Sequence, residues 1–173
     1  MPSPARAASS APPIVPFAAP YPPGSIVIVN SERKLYYMLG KGRALQYPVA
    51  VGKPGELWVG RTFVSDKRVN PTWIPVDGGR RIAGGRPSNP LGKRALYLDW
   101  SLIRIHGTPS RRSIGSAVSN GCIRMFNEDV IDLYGRVHLG APVIAVNTRR
   151  EADQFAAPAV SGKRPAYSSF RFR

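Results

Sequence analysis

One cysteine and two histidines carry all the thiol and imidazole chemistry of this 173-residue chain. Cys122 lies sixteen positions after His106. A free thiol, with a pKa of about 8.5, is mostly protonated at neutral pH and needs a nearby base to become a nucleophile. His106 is the candidate base; His138 sits in a helix-to-strand passage and is a poorer one. A lone cysteine is most often a small buried hydrophobe, so its context has to decide. Ser119, Asn120 and Gly121 make a small, polar, flexible approach to Cys122 rather than an apolar core strand. Gly121 permits positive φ or close backbone approach. Arg124 adds a positive charge two residues on, which favours a thiolate.

The chemistry open to such a pair is acyl transfer through a thioester. The imidazole takes the thiol proton, the thiolate attacks a carbonyl, and an amine or water resolves the acyl-enzyme. The tetrahedral oxyanion needs aligned donors, and the backbone N–H groups of Gly121 and Cys122, with Asn120 nearby, are the candidates. No acidic residue adjoins His106, which argues against an Asp as third member.

The elements that must position this pair read as mainly β. Strands are expected at residues 25–29, 34–39 and 44–51, the first two joined by a turn at 30–32 and the next pair by the Gly40-Lys41-Gly42 turn. A loop with an aromatic anchor, Trp58, spans 53–60, and residues 61–65 alternate as a strand. The stretch 67–75 holds Pro71, Trp73 and Pro75, and Trp73 is suited either to core packing or to stacking on substrate. Residues 77–93 form a long Gly/Pro/Arg loop, read as a lid whose arginines attract carboxylates or as a plain solvated loop. Strands follow at 95–98 and 102–106. Their period-two alternation places Ile103 and Ile105 on one face and Arg104 and His106 on the other, away from the apolar side. Residues 108–121 read as an ordered connecting loop. Asn127 reads as the N-cap of a helix carrying Val130, Ile131, Tyr134 and Val137, and residues 142–146 as a last strand.

Length and composition bound the rest. One domain of 24–147 is expected, between a flexible Pro/Ala-rich lead-in at 1–23 and a basic flexible tail at 148–173. The 18 prolines and 17 glycines favour a turn-rich β protein over a helical bundle. The charge of +15 suits nucleic acid, a membrane surface or an anionic wall polymer. The basic residues are dispersed in short pairs, and no nucleic-acid module accompanies them, so specific nucleic-acid binding is not expected. One cysteine excludes an internal disulfide and an all-cysteine zinc site. No apolar run is long enough to span a bilayer, and residues 1–20 lack the charged start and apolar core of a signal peptide.

The run Ile105-His106-Gly107-Thr108, Ser113-Ile114-Gly115, Ser119-Asn120-Gly121-Cys122-Ile123-Arg124-Met125 resembles the signature of the L,D-transpeptidase catalytic domain, the YkuD or ErfK/YbiS family. The resemblance extends upstream through Asn89-Pro90-Leu91-Gly92 and Arg94-Ala95-Leu96-Tyr97-Leu98, downstream through Asn127-Glu128-Asp129-Val130, and covers about residues 24–147. It implies a YkuD-like β-sandwich with a short helix after the cysteine and long loops over a cleft. It also implies Cys122 as nucleophile, His106 as base and the Gly107 carbonyl as the imidazole's orienting partner, with Ser119 as second choice. Ser119, Asn120, Gly121, Arg124 and Trp73 are the expected oxyanion and substrate-binding residues; Arg124 either binds a substrate carboxylate or holds the loop.

The implied reaction is peptidoglycan L,D-transpeptidation. The diaminopimelate–D-Ala bond of a tetrapeptide stem is attacked, and the acyl group passes to another diaminopimelate amine (a 3→3 cross-link) or to an envelope protein. Hydrolysis or D-amino-acid exchange by the same nucleophile, or a non-catalytic basic wall-binding module, are the alternatives. The implied setting is the periplasm or cell envelope, with carbapenem β-lactams acylating the cysteine. A monomer is expected, with no cofactor and no metal. Many members carry His where this chain has Asn120, which removes any role for a second histidine there.

Overall fold

The computed structural model describes residues 11–99, 101–156 and 171–172, the last two by backbone alone. The chain runs β1 (Ile14–Pro16), β2 (Ile26–Val29), β3 (Lys34–Gly40), β4 (Arg43–Pro48), β5 (Val51–Gly52), β6 (Trp58–Val69), β7 (Arg94–Leu98), β8 (Arg104–Gly107), β9 (Ala117–Ser119), β10 (Ile123–Met125), α1 (Asn127–Arg136), β11 (Pro142–Val146), α2 (Arg149–Ala156) and β12 (Arg171–Phe172). It is mainly β, as expected. One large mixed sheet has the order β1-β4-β3-β2-β11-β6-β7-β8-β10, β12 adds to β6, and β5 and β9 form a separate parallel pair.

The long strand β6 joins the two halves of the large sheet. Its Gly60–Phe63 segment pairs with β11, and Val64 to Val69 pair with β7, with a register shift between Val64 and Asp66. A bulge of this kind bends and twists a strand, so one sheet folds over a shared core. Ile26, Ile28, Leu35 and Tyr47 of the first half and Leu96, Leu98, Ile105, Ile123 and Met125 of the second belong to one buried cluster, completed by Val130, Leu133 and Val137 of and after α1. The opposite face of the first half buries Val27, Val29, Tyr36 and Met38 in a second cluster.

That second cluster corrects the reading of both chain ends. Residues 11–23 are not a flexible lead-in: β1 pairs with β4, and Phe17, Ala19 and Tyr21 are buried. Apolar side chains at Val15, Phe17, Ala19 and Tyr21 recur every second residue, a strand period written through prolines that an edge strand tolerates. Residues 149–156 are likewise not tail but α2, whose Ala152 is buried and accepts a hydrogen bond from Tyr21 Oη at 2.6 Å. The expectations for 1–10 and 157–170 fall outside the described residues.

Two smaller readings also change. The strand expected at 61–65 is longer, β6 running on to Val69, and the ammonium of its Lys67 donates to the carbonyls of Tyr134 and Val137 at the end of α1, where a cation complements the helix dipole. Asn127 is the first helical residue, not the cap. Its Oδ1 accepts the Lys93 N–H at 2.9 Å and its Nδ2 donates to the Thr108 carbonyl at 3.4 Å, clipping the start of β7 and the end of β8 to α1.

Candidate active site

The site is assembled where β8 and β10 run side by side. They are parallel, with Ile123 opposite Ile105, Arg124 opposite His106 and Met125 opposite Gly107. Cys122 directly precedes β10. Across β8, Ala95 of β7 faces His106 and Tyr97 faces Arg104. Asp66 and Arg68 of β6 face Tyr97 and Ala95 in turn. Because side chains opposite one another in a sheet share a face, Asp66, Tyr97 and Arg104 form one row and Arg68, Ala95, His106 and Arg124 the next. The face is the one turned away from Leu96, Ile105 and Ile123 in the core.

Alternation thus places His106 as expected, but burial does not follow the expectation of an outward side chain: His106 is only 5% exposed. Its ring Nδ1 lies 2.5 Å from the Gly107 carbonyl. A carbonyl can only accept, so Nδ1 carries the proton and Nε2 presents its lone pair. Burial, with the charges of Arg124 and Arg104 adding to it, pushes the imidazole pKa down from 6.5 to about 4, against the opposing effect of the Gly107 hydrogen bond. The ring is therefore neutral at neutral pH and able to accept a proton. Gly107 itself is hemmed in: a Cβ there would collide with Asn127 Oδ1.

Cys122 is half-buried, and its thiol donates to the Leu102 carbonyl at 3.7 Å rather than to His106. The loop that carries it is tightly specified. Ser119, 2% exposed, donates through Oγ to the Cys122 carbonyl at 2.6 Å and accepts the Gly121 N–H at 3.2 Å. Gly121 has φ +113°, a conformation that glycine adopts without strain. The Trp58 indole N–H donates to the Gly121 carbonyl at 3.1 Å, and Lys53 N–H donates to the Ser119 carbonyl at 2.9 Å. Ala50 and Arg124 exchange both backbone hydrogen bonds, at 2.9 and 3.0 Å.

These contacts revise one expectation and add residues that it lacked. The Gly121 N–H is engaged by Ser119, so it is not a ready oxyanion donor. No hydrogen bond occupies the Cys122 N–H among the described residues, and Asn120 is exposed beside it. His106, Gly107, Ser119, Asn120, Gly121, Cys122 and Arg124 come together. Trp73 does not join them by any hydrogen bond, ring contact or ion pair among the described residues; it pairs through its backbone with Ile82 inside the long loop. Trp58 and Asn127 are the positioning residues the sequence did not reveal. Trp58 was legible as an anchor, but nothing in one dimension connects it to Gly121, 63 residues away. Among the described residues, no group of three His, Cys, Asp or Glu side chains is placed to hold a metal ion.

The model of the L,D-transpeptidase catalytic domain family, YkuD, matches residues 23–144, most of the chain. The chain belongs to this family. Among its relatives is YqjB of Bacillus subtilis (strain 168), whose name places it with the L,D-transpeptidases. It is 36% identical over 144 residues, which are 79% of this chain and 80% of YqjB. YbiS of Escherichia coli (strain K12), so named too, is 36% identical over 134 residues, 68% of this chain but only 43% of YbiS. The chain thus spans most of YqjB and under half of the Escherichia coli relative. Solved L,D-transpeptidases share the fold. A Mycobacterium tuberculosis H37Rv enzyme superposes with a TM-score of 0.59 at 21% identity, covering 71% of this chain and 57% of that one. The catalytic domain from E. faecium, solved acylated by ertapenem, gives 0.55 at 21% identity, covering 70% and 95%. The family match over residues 23–144 includes the strands and the helix around Cys122 and His106.

Proposed function

We propose that this L,D-transpeptidase domain is a cysteine acyltransferase acting on peptidoglycan stem peptides. The observation that carries the reading is the buried, neutral His106, whose Nδ1–H is spent on the Gly107 carbonyl, leaving the Nε2 lone pair to accept a proton, on the strand that pairs with β10 just after Cys122. Nε2 takes the thiol proton once the thiol leaves the Leu102 carbonyl. The thiolate attacks the carbonyl of the diaminopimelate–D-Ala bond, and the Cys122 N–H with the Asn120 amide stabilises the oxyanion. The imidazolium returns its proton to the departing D-Ala amine, leaving a thioester. An acceptor amine, from a second stem or an envelope protein, loses a proton to Nε2 and takes the acyl group.

Family membership and the high positive charge both suit an anionic wall substrate. They support a periplasmic or envelope setting and acylation of Cys122 by carbapenems. Among the described residues no helix is long and apolar enough to cross a membrane.

Incubation with a disaccharide-tetrapeptide, followed by mass spectrometry, tests the reading. The expected product is a cross-linked dimer lacking one D-Ala, absent with Cys122→Ala. Tripeptide without dimer assigns the same nucleophile to hydrolysis. No product from folded protein contradicts the proposal.

A further inference from the structure

Arg104 shares the catalytic face and has no role in the chemistry above. It lies in the row Asp66, Tyr97, Arg104, and Cys122 directly precedes Ile123, the β10 residue paired with the neighbouring Ile105. Its guanidinium stacks on the Tyr97 ring at 5.1 Å from the centroid, while Arg68 approaches the same ring at 4.8 Å. The Arg104 Nε is fully buried and makes no hydrogen bond. A buried charged donor left unsatisfied is costly. The cost is compounded by the second cation on this face, Arg124, which flanks His106 as Arg104 does. Neither arginine has an ion pair among the described residues. The one carboxylate in the same rows, Asp66, is bound to Arg68 at 2.7 Å.

We infer that Arg104 is a substrate-recognition residue that takes a carboxylate of the donor stem peptide beside Cys122. The inference rests on the proposed reaction and names the group the enzyme reads next to the scissile bond. Neighbouring strands lie about 5 Å apart, and Arg104 and Cys122 directly precede the paired Ile105 and Ile123, so a group held by Arg104 lies about one residue's reach from the reacting carbonyl. A guanidinium preset on an aromatic ring offers a planar fork that matches a carboxylate and loses little freedom on binding. An incoming anion at the guanidinium of this half-buried residue offsets the two unpaired cations. The tetrapeptide has three free carboxylates, on D-Glu, diaminopimelate and D-Ala; Arg104 takes one of the last two, which belong to the residues joined by the scissile bond.

The experiment reads binding without turnover. Calorimetric titration of L-Ala–γ-D-Glu–meso-diaminopimelate–D-Ala into the Cys122→Ala protein is compared with the Cys122→Ala/Arg104→Gln protein, with thermal unfolding checking that both fold alike. Two further peptides carry an amide in place of the terminal or the diaminopimelate carboxylate. Loss of the Arg104 charge weakens the parent peptide by about tenfold to a hundredfold. The substitution has no effect on whichever amidated peptide lacks the carboxylate that Arg104 holds, which identifies the source. Equal affinities for the two proteins, or an equal loss for all three peptides, overturns the inference. Wild-type protein that forms dimer, yet whose peptide binding ignores Arg104, contradicts this inference alone. A peptide that neither binds nor reacts contradicts the proposed reaction as well. Arg104→Lys keeps the charge but not the fork, and restores only part of the affinity.

Discussion

The indole N–H of Trp58 donates to the carbonyl of Gly121, the residue before Cys122, at 3.1 Å. Trp58 opens β6, the strand that bends one half of the sheet over the other, and is 2% exposed. The bond therefore ties the thiol's loop to the most constrained strand of the fold.

Trp58→Phe keeps most of the ring and removes that donor, leaving the Gly121 carbonyl without its indole partner. Stability falls by about 1–3 kcal/mol, as for other buried hydrogen bonds that lose one partner. Acylation of Cys122 slows by more than the loss of folded protein explains, because the nucleophile's loop is no longer fixed. Urea unfolding and a single-turnover acylation assay measure the two effects separately.

Ser119→Ala unties both ends of the Cys122 turn, since one hydroxyl donates to the Cys122 carbonyl and accepts the Gly121 N–H. The cost is about 1–3 kcal/mol of stability. The freed Gly121 N–H does not compensate as an oxyanion donor, because the turn that aims the Cys122 N–H has loosened. kcat falls while KM changes little, and Ser119→Thr, which keeps the hydroxyl, recovers part of the rate.

His106 sets a pH dependence of stability. Its folded pKa is about 4 against 6.5 when exposed. Between those values the unfolded chain binds the extra proton and the folded chain does not, so stability is intact above pH 6.5 and is lost as pH falls toward 4. The loss from this one group is about 2 kcal/mol by pH 5. Urea unfolding at pH 7 and pH 5, in wild type and His106→Gln, isolates it: the wild type loses that much more than the variant. An equal loss in both would place the imidazole in solvent. By the same shift, the acid limb of kcat/KM from the free enzyme falls well below the ordinary histidine value.

The sequence made most of the architecture legible where hydrophobic period and chemistry coincide. Ile26 to Val29 declare a strand by their β-branching, and Arg104 and His106 against Ile103 and Ile105 declare which side of a strand faces the core. The Ser-Asn-Gly-Cys turn declares its own geometry, and Gly107 as partner of the imidazole followed from the family resemblance. What stayed hidden depends on contacts between distant segments. The strand β1 is written in prolines, and its Phe17 and Tyr21 have meaning only once β4 and α2 are packed against them. Burial of His106 does not follow from its own alternation, which sets it on the face away from the core. The capture of the Gly121 N–H by Ser119 removed a donor that the local motif alone offered to the oxyanion, and the role of Asn127 shifted from helix cap to clip because Lys93 and Thr108 come within its reach.

The central claim is that Cys122 becomes acylated with His106 as its base. Intact-protein and peptide mass spectrometry after brief mixing with the tetrapeptide tests it most directly. The account predicts a tripeptidyl adduct on the peptide containing Cys122, absent from Cys122→Ala and formed at least about a hundredfold more slowly by His106→Gln, the loss typical of a missing general base. An adduct that persists in Cys122→Ala, or turnover by wild type without any acylated Cys122, would contradict it.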